Sequence, residues 1–226
     1  MKSFVFDLYN TLIDMRTDEH CDEAWAPVVE LFRARGIKAS GAKLCSEFDG
    51  LCKLMYDRAV GERVYVYPEI DCVNIMESVA RRAGGKLSRA DAETALKLMR
   101  KGSIKRMKLF DGTWELFDGL RSRGAKLYLL SNAQAAFTRD EIAEVGLADK
   151  FDGMKLSSEC GCRKPDPAFF EMLFDEYGID KADAVMVGDD MSTDIAGANA
   201  FGIRGIWAGG GAAAHANELY AEAERQ

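Results

Sequence analysis

The stretch FVFDLYNTL, residues 4–12, carries the first decision about the fold. An unbroken apolar run, Phe4-Val5-Phe6, delivers one aspartate, Asp7, and then breaks into Tyr9-Asn10-Thr11. A short apolar run without polar alternation fits a strand buried on both faces, as in a parallel sheet covered by helices. Such a strand puts Asp7 at its carboxyl end, the edge along which open α/β sheets bind ligands.

The pattern recurs further on. AKLYLLSN (125–132), AVMVGDD (184–190) and IRGIWAGG (203–210) read as strands, and FDGMKLSSECG (151–161) as a weaker strand and turn. Between them DGTWELFDGLRSRG (111–124), FTRDEIAEVG (137–146), PDPAFFEMLFDEYG (165–178) and STDIAGANAFG (192–202) read as helices, and 212–226 as a terminal one. Alternation of this kind argues for an α/β fold, a three-layer Rossmann-like core with a parallel sheet and crossover helices.

Residues 15–106 follow a different rule. HCDEAWAPVVELFRARG (20–36), GAKLCSEFDGLCKLMYDRAVG (41–61), IDCVNIMESVARRAGG (70–85) and SRADAETALKLMRK (88–101) repeat apolar residues at helical spacing. Ser88 is placed as an N-cap. VYVYPEID (64–71) is β-rich until Pro68 ends it. The expected organisation is a core from 1–14 and 107–226, interrupted by a helical cap over 15–106. An insert directly after the first strand sits over the carboxyl ends of the sheet, where pockets form.

With 226 residues the chain can bury a sizeable core, and a net charge of -7 with scattered Lys and Arg gives no footprint for nucleic acid or an anionic membrane. No segment approaches the roughly 18 apolar residues of a membrane span. The amino terminus lacks a signal-peptide apolar region, so a cytoplasmic location and six free thiols are expected. Cys160-Gly161-Cys162 has no partner motif of metal-site spacing. His20 and His215 have no carboxylate or cysteine at ligand spacing and read as solvated surface residues. The oligomeric state is left open.

Three strands end in polar residues: Asp7, Ser131-Asn132 and Asp189-Asp190. In a parallel sheet these ends share one edge, joined by Lys164 from CRKPDP and by Asp194 one turn into the next helix. Taken singly, each has a plainer reading as a turn or N-cap residue. Together the carboxylates repel one another unless protons or a cation neutralise them. An oxygen-rich site suits Mg²⁺, which binds a few carboxylates and keeps waters for a phosphate ligand.

The order of these residues resembles the haloacid dehalogenase-like hydrolase superfamily over essentially the whole chain. Asp7 in FDLYNTL matches the nucleophile of its first motif and Thr11 that motif's threonine. Ser131 in LLSNA, Lys164 in CRKPDP and the acidic VGDDMSTD match the second, third and fourth motifs. The insert is similar to the superfamily's first type of helical cap. The resemblance implies that Asp7 forms a covalent aspartyl intermediate, assisted by Lys164. Thr11, Ser131, Asn132 and Lys164 would contact a small phosphorylated substrate. Mg²⁺ would be held by Asp7, the backbone carbonyl of Tyr9 and Asp189, with Asp194 and Asp190 as further ligands or orienting groups.

The match breaks at Tyr9. Phosphatase members carry an aspartate there that protonates the leaving oxygen, and a phenol near pKa 10 is a poor general base at neutral pH. Tyrosine at this position is similar to the 2-haloacid dehalogenase branch, whose halide leaves without a proton. VGDDMSTD instead resembles the Mg²⁺-dependent version. Three readings therefore stand: a Mg²⁺-dependent phosphatase with Asp7, Tyr9 and Lys164 as its candidate catalytic residues, a 2-haloacid dehalogenase-type hydrolase, and a low-activity metal-binding protein that acts by binding a ligand or partner.

Overall fold

The computed structural model describes residues 2–225. Met1 and Gln226, which the expected boundaries include, lie outside the described residues. The chain opens with β1 (Ser3–Phe6) and β2 (Ile13–Thr17) and continues into α1 (Asp22–Ala34), α2 (Gly41–Glu62), α3 (Cys72–Arg82) and α4 (Arg89–Ser103). It returns through β3 (Ile104–Leu109), α5 (Thr113–Ser122), β4 (Lys126–Ser131), α6 (Ala135–Glu144), β5 (Gly153–Leu156) and the short α7 (Ser157–Cys160). The last elements are α8 (Pro167–Tyr177), β6 (Ala184–Gly188), a π-helical turn (Met191–Ile195), α9 (Ala196–Phe201), β7 (Arg204–Trp207) and α10 (Ala216–Ala223).

Five parallel strands form one sheet in the order β5-β4-β1-β6-β7. β1 is central, with Phe6 paired to Leu129 on one side and Val187 on the other. Alternate side chains serve opposite faces, as strand geometry requires. Phe4, Phe6, Leu127, Leu129 and Val187 join Leu116, Phe117 and Leu120 of α5 and Leu219 of α10. Val5, Tyr128, Leu130 and Met186 join Phe169, Phe170 and Leu173 of α8 and Phe201 of α9. The result is the expected α/β three-layer core. Phe6 is fully buried, its ring 5.5 Å from that of Phe117, and truncation to alanine would cost about 3–5 kcal/mol.

The four inserted helices bury a separate apolar cluster around Trp25, Val28, Phe32, Leu44, Met76, Val79 and Leu96. Ser88 caps α4, its hydroxyl accepting from the amide of Asp91 at 3.1 Å.

Two segments depart from the sequence reading. β2 and β3 pair antiparallel, from Ile13 opposite Leu109 to Thr17 opposite Ile104, and straddle the expected core–cap boundaries. In IKRMKL only Met107 and Leu109 alternate with charge, and Lys105-Arg106 break the period before them, so the ribbon left a weak signal. VYVYPEID forms no strand. Asp166 Oδ2 accepts from the amides of Val66 at 2.8 Å and Tyr67 at 3.0 Å, and Pro68 makes only an isolated bridge to Cys162. Val64 and Val66 are 70% and 72% exposed, so their β propensity had no sheet to join.

Candidate active site

The topology brings the strand ends together. β1 delivers Asp7, and its neighbours β4 and β6 deliver Ser131 and Asp189 on either side. Asp7 Oδ1 accepts from Ser131 Oγ at 3.1 Å and Lys164 Nζ at 2.6 Å. Lys164 is 1% exposed and also donates to the Leu130 carbonyl at 2.7 Å. Its backbone is held by Asn132: Lys164 N donates to Oδ1 at 2.8 Å, and Nδ2 donates to the Lys164 carbonyl at 3.0 Å. The Asn132 carboxamide is thereby engaged in positioning the lysine.

The fourth motif is shaped by the π-helical turn. Such turns insert an extra residue into a helical repeat and recur at functional sites. Here Ile195 N bonds back to the Asp190 carbonyl at 3.2 Å. Asp190 itself caps the turn: its Oδ1 accepts from Ser192 N at 2.7 Å and Ser192 Oγ at 2.6 Å, which lowers its pKa. The Asp194 carboxylate folds back under the strand end, where Oδ2 accepts from Asp190 N at 3.1 Å. Only glycine fits beneath it, because a Cβ on Gly188 would lie 2.2 Å from Asp194 Oδ2. Thr11, fully buried, donates from Oγ1 to Asp189 Oδ1 at 3.2 Å.

Asp7, Asp189 and Asp194 each offer an oxygen within 4.8 Å of the others, and Asp190 stands outside this cluster. Lys164 Nζ lies 2.8 Å from Asp194 Oδ1, but not in the direction a hydrogen bond needs, and that buried oxygen has no aligned donor. Burial, aided by the charge of Asp194 and opposed by Lys164, raises the pKa of Asp7 to about 6. Burial and Asp194 raise that of Asp189 as well. Although burial works against it, the Lys164 ammonium is held above its ordinary pKa by Asp7 and Asp194. An all-oxygen cluster of three carboxylates sharing one ammonium fits a hard divalent cation.

Tyr9 lines the same pocket, yet its phenol is engaged elsewhere. The hydroxyl donates to Glu141 Oε2 through a short bond and lies 2.9 Å from Thr138 Oγ1, both on α6. Burial and the Glu141 carboxylate push its pKa well above the ordinary value. Arg100 of α4 closes the cluster, with Nε 2.6 Å from Glu141 Oε1 and its guanidinium carbon 5.2 Å from the centre of the Tyr9 ring. The sequence analysis missed Arg100, Thr138 and Glu141. The three-residue spacing of Thr138 and Glu141 puts them on one helix face, a weak signal that names no partner.

The reaction pocket of about 200 Å³ adjoins one of about 350 Å³ beneath the inserted helices; Tyr9, Asn10 and Asn132 line both. The second is also lined by Met15, Glu69, Arg100 and Phe137. Away from the site, His20 Nε2 lies 3.0 Å from Asp49 Oδ2, with Cys45 close by, a proximity that linear spacing concealed. His215 is half-buried rather than solvated, 3.1 Å from the Gly209 carbonyl. All six cysteines are free. No helix among the described residues is long and apolar enough to cross a membrane.

A parallel sheet with an acidic edge and a buried lysine admits more than one class of protein, and comparison with known proteins supplies the family. A family model for haloacid dehalogenase-like hydrolases matches residues 1–202, and the chain belongs to that family. The phosphoserine phosphatase of Thermus thermophilus is 38% identical over 87 residues, 38% of this chain and 35% of that protein, so the match spans about a third of that relative. The N-acylneuraminate-9-phosphatase of Mus musculus is 26% identical over 92% of this chain and 82% of its own. A 2-haloacid dehalogenase structure from Pseudomonas syringae pv. Tomato DC3000 shares the fold, with a TM-score of 0.61 and 22% identity over 92% of this chain and 86% of the other.

Proposed function

We propose that the protein is a Mg²⁺-dependent phosphatase of a small phosphorylated metabolite, working through an aspartyl-phosphate. The Asp7 carboxylate attacks phosphorus, and the bond from phosphorus to the leaving oxygen breaks. Water then opens the acyl phosphate, releasing inorganic phosphate and restoring the carboxylate. Lys164 balances charge on Asp7 and on the phosphoryl group, and Ser131 donates a hydrogen bond at the same edge. Thr11 fixes Asp189, and Asn132 fixes Lys164. Asp7, Asp189, Asp194 and the Tyr9 carbonyl would hold the Mg²⁺ ion, with Asp190 shaping the turn. Bound there, the ion supplies positive charge to the carboxylates and the phosphoryl oxygens.

The observation that carries this reading is the charge imbalance: three carboxylates face one ammonium, and a buried Asp194 oxygen has no aligned donor. An anionic haloacid brought to that edge without a cation would meet net repulsion. Names of relatives are divided, since two are phosphatases and another, matched over 92% of this chain, is an (S)-2-haloacid dehalogenase, so the charge balance decides. The Tyr9 phenol, committed to Glu141 and Thr138, does not protonate the leaving oxygen. Acyl and aryl phosphates, whose leaving groups need no proton, are therefore the best substrates. The deciding assay is turnover of an activated aryl phosphate, expected to require Mg²⁺ and to fall about 10³-fold or more in Asp7→Asn. Chloride release from 2-chloropropionate without metal would overturn the proposal. Mg²⁺ binding with no turnover across a phosphoester panel would point to the ligand-binding alternative.

A further inference from the structure

The Tyr9 side chain links the turn that carries Asp7 to α6 and, by way of Arg100, to the inserted helices. Residues 7–13 form a tight turn: Leu12 N and Ile13 N both bond the Leu8 carbonyl, at 2.8 and 3.0 Å, and Asn10 N bonds the Ile13 carbonyl at 2.6 Å. Asn10 holds a left-handed backbone, φ 60°, which this residue type tolerates and most others resist. Tyr9 is the residue of this turn that reaches across to α6, through Thr138 and Glu141.

Glu141 has a second partner from the other body. Arg100 projects from α4 and pairs with both Glu141 oxygens, Nε to Oε1 at 2.6 Å and Nη2 to Oε2 at 3.3 Å. Its guanidinium carbon lies 5.2 Å from the Tyr9 ring centre and 4.8 Å from that of Phe137, between the two aromatic rings. Arg100 and Glu141 are 11% and 6% exposed at their side chains. A bidentate, stacked guanidinium in a buried setting is geometrically demanding, and lysine does not reproduce it. Removing one partner of such a pair leaves an uncompensated charge.

We propose that Arg100 and Glu141 are positioning residues, a latch that couples cap docking to the conformation of the 7–13 turn through Tyr9. With the cap docked, Arg100 holds Glu141 and the Tyr9 ring, and the turn keeps Asp7 aligned at the sheet edge. With the cap displaced, Glu141 loses its cation and Tyr9 loses one wall of its slot. The turn then loosens. A neighbouring ion pair between the same two helices, Lys97 Nζ to Asp140 Oδ2 at 2.9 Å, is more exposed and touches nothing on the turn, which makes it the internal control.

The experiment compares Arg100→Met, Arg100→Lys, Glu141→Gln and Lys97→Met, all verified as folded by circular dichroism. Glu141→Gln, nearly isosteric, carries the test if either Arg100 variant fails to fold. Amide hydrogen exchange at Leu12 and Ile13 is expected to rise about tenfold or more in the Arg100 and Glu141 variants, and to stay at the wild-type rate in Lys97→Met. On an activated aryl phosphate, the first set is expected to lose about 10–100-fold in kcat with KM changed less than threefold, because misalignment affects the reacting geometry more than binding. This second readout rests on the proposed phosphatase activity; the exchange readout needs no substrate. If wild type turns over no phosphoester while the exchange contrast holds, the activity proposal fails and the latch stands. Wild-type exchange in Arg100→Met, restored exchange and kcat in Arg100→Lys, or an equal rise in Lys97→Met overturns the latch.

Discussion

Two buried charge clusters sit on either side of the turn after β1, and they are built on opposite principles. Around Asp7, one ammonium serves three carboxylates, an oxygen lacks an aligned donor, and the pocket is open. Around Tyr9, Arg100 pairs closely with Glu141 and more distantly with the half-exposed Glu19, the phenol hydrogen bonds to Glu141, and aromatic rings cover the guanidinium. Unbalanced groups at a pocket are poised to receive a ligand, since their desolvation is compensated only when it arrives. The paired cluster needs nothing further. That difference is the one expected between a site and a support, and the Tyr9 phenol lies in the second cluster.

The contrast can be broken most directly at Lys164. Replacing it with methionine leaves Asp7 and Asp194 without their cation, and a loss of about 3–5 kcal/mol is expected in urea unfolding of the metal-free protein at pH 7. A negligible loss would show that solvent already screens the cluster. Next in size is ligand response. At a Mg²⁺ concentration of about 100 Kd, the stability gain should be about 2.7 kcal/mol, read as an upward shift in Tm. Asp189→Asn and Asp194→Asn should abolish the shift, whereas Glu141→Gln should keep it; the reverse pattern would exchange the two clusters' roles.

A pH series sharpens the same point. Asp7 has a pKa of about 6 in the fold against an ordinary 3.8. Between those values the native protein keeps a proton that the unfolded chain has released. Its contribution to metal-free stability therefore falls as pH rises through this window and is lost above about 6. In Asp7→Asn the decline across that range should be smaller, as denaturation midpoints would register. An unchanged profile would mean that another group's titration sets this pH dependence. The smallest effect belongs to Tyr9→Phe, which removes one buried hydrogen bond and should cost about 1 kcal/mol. It should leave the pH dependence of turnover unshifted, and a displaced acidic or basic limb would mean that the phenol takes part in proton transfer.

Much of the fold was legible because its strands are buried on both faces. FVF, LYLL and VMV read as unbroken apolar runs, and their polar terminal residues gave the sheet edge. Where a segment's partner was not local, the sequence misled or fell silent. VYVYP has the residues of a strand, but Asp166 takes its amides. The partners of Tyr9 lie 129 and 132 residues away along the chain, beyond the reach of any periodicity. The motif could flag the tyrosine as odd; only the three-dimensional arrangement shows what its hydroxyl touches.

The β2–β3 ribbon has a consequence for how such a chain can diversify. Because Thr17 stands opposite Ile104, everything between them leaves and rejoins through two adjacent strands, and the five-stranded sheet never feels the length of the detour. A different helical bundle grafted between those two positions would meet the same sheet edge with the same carboxylates, but it would have to bring its own replacement for the Arg100 contact with Glu141 and Tyr9.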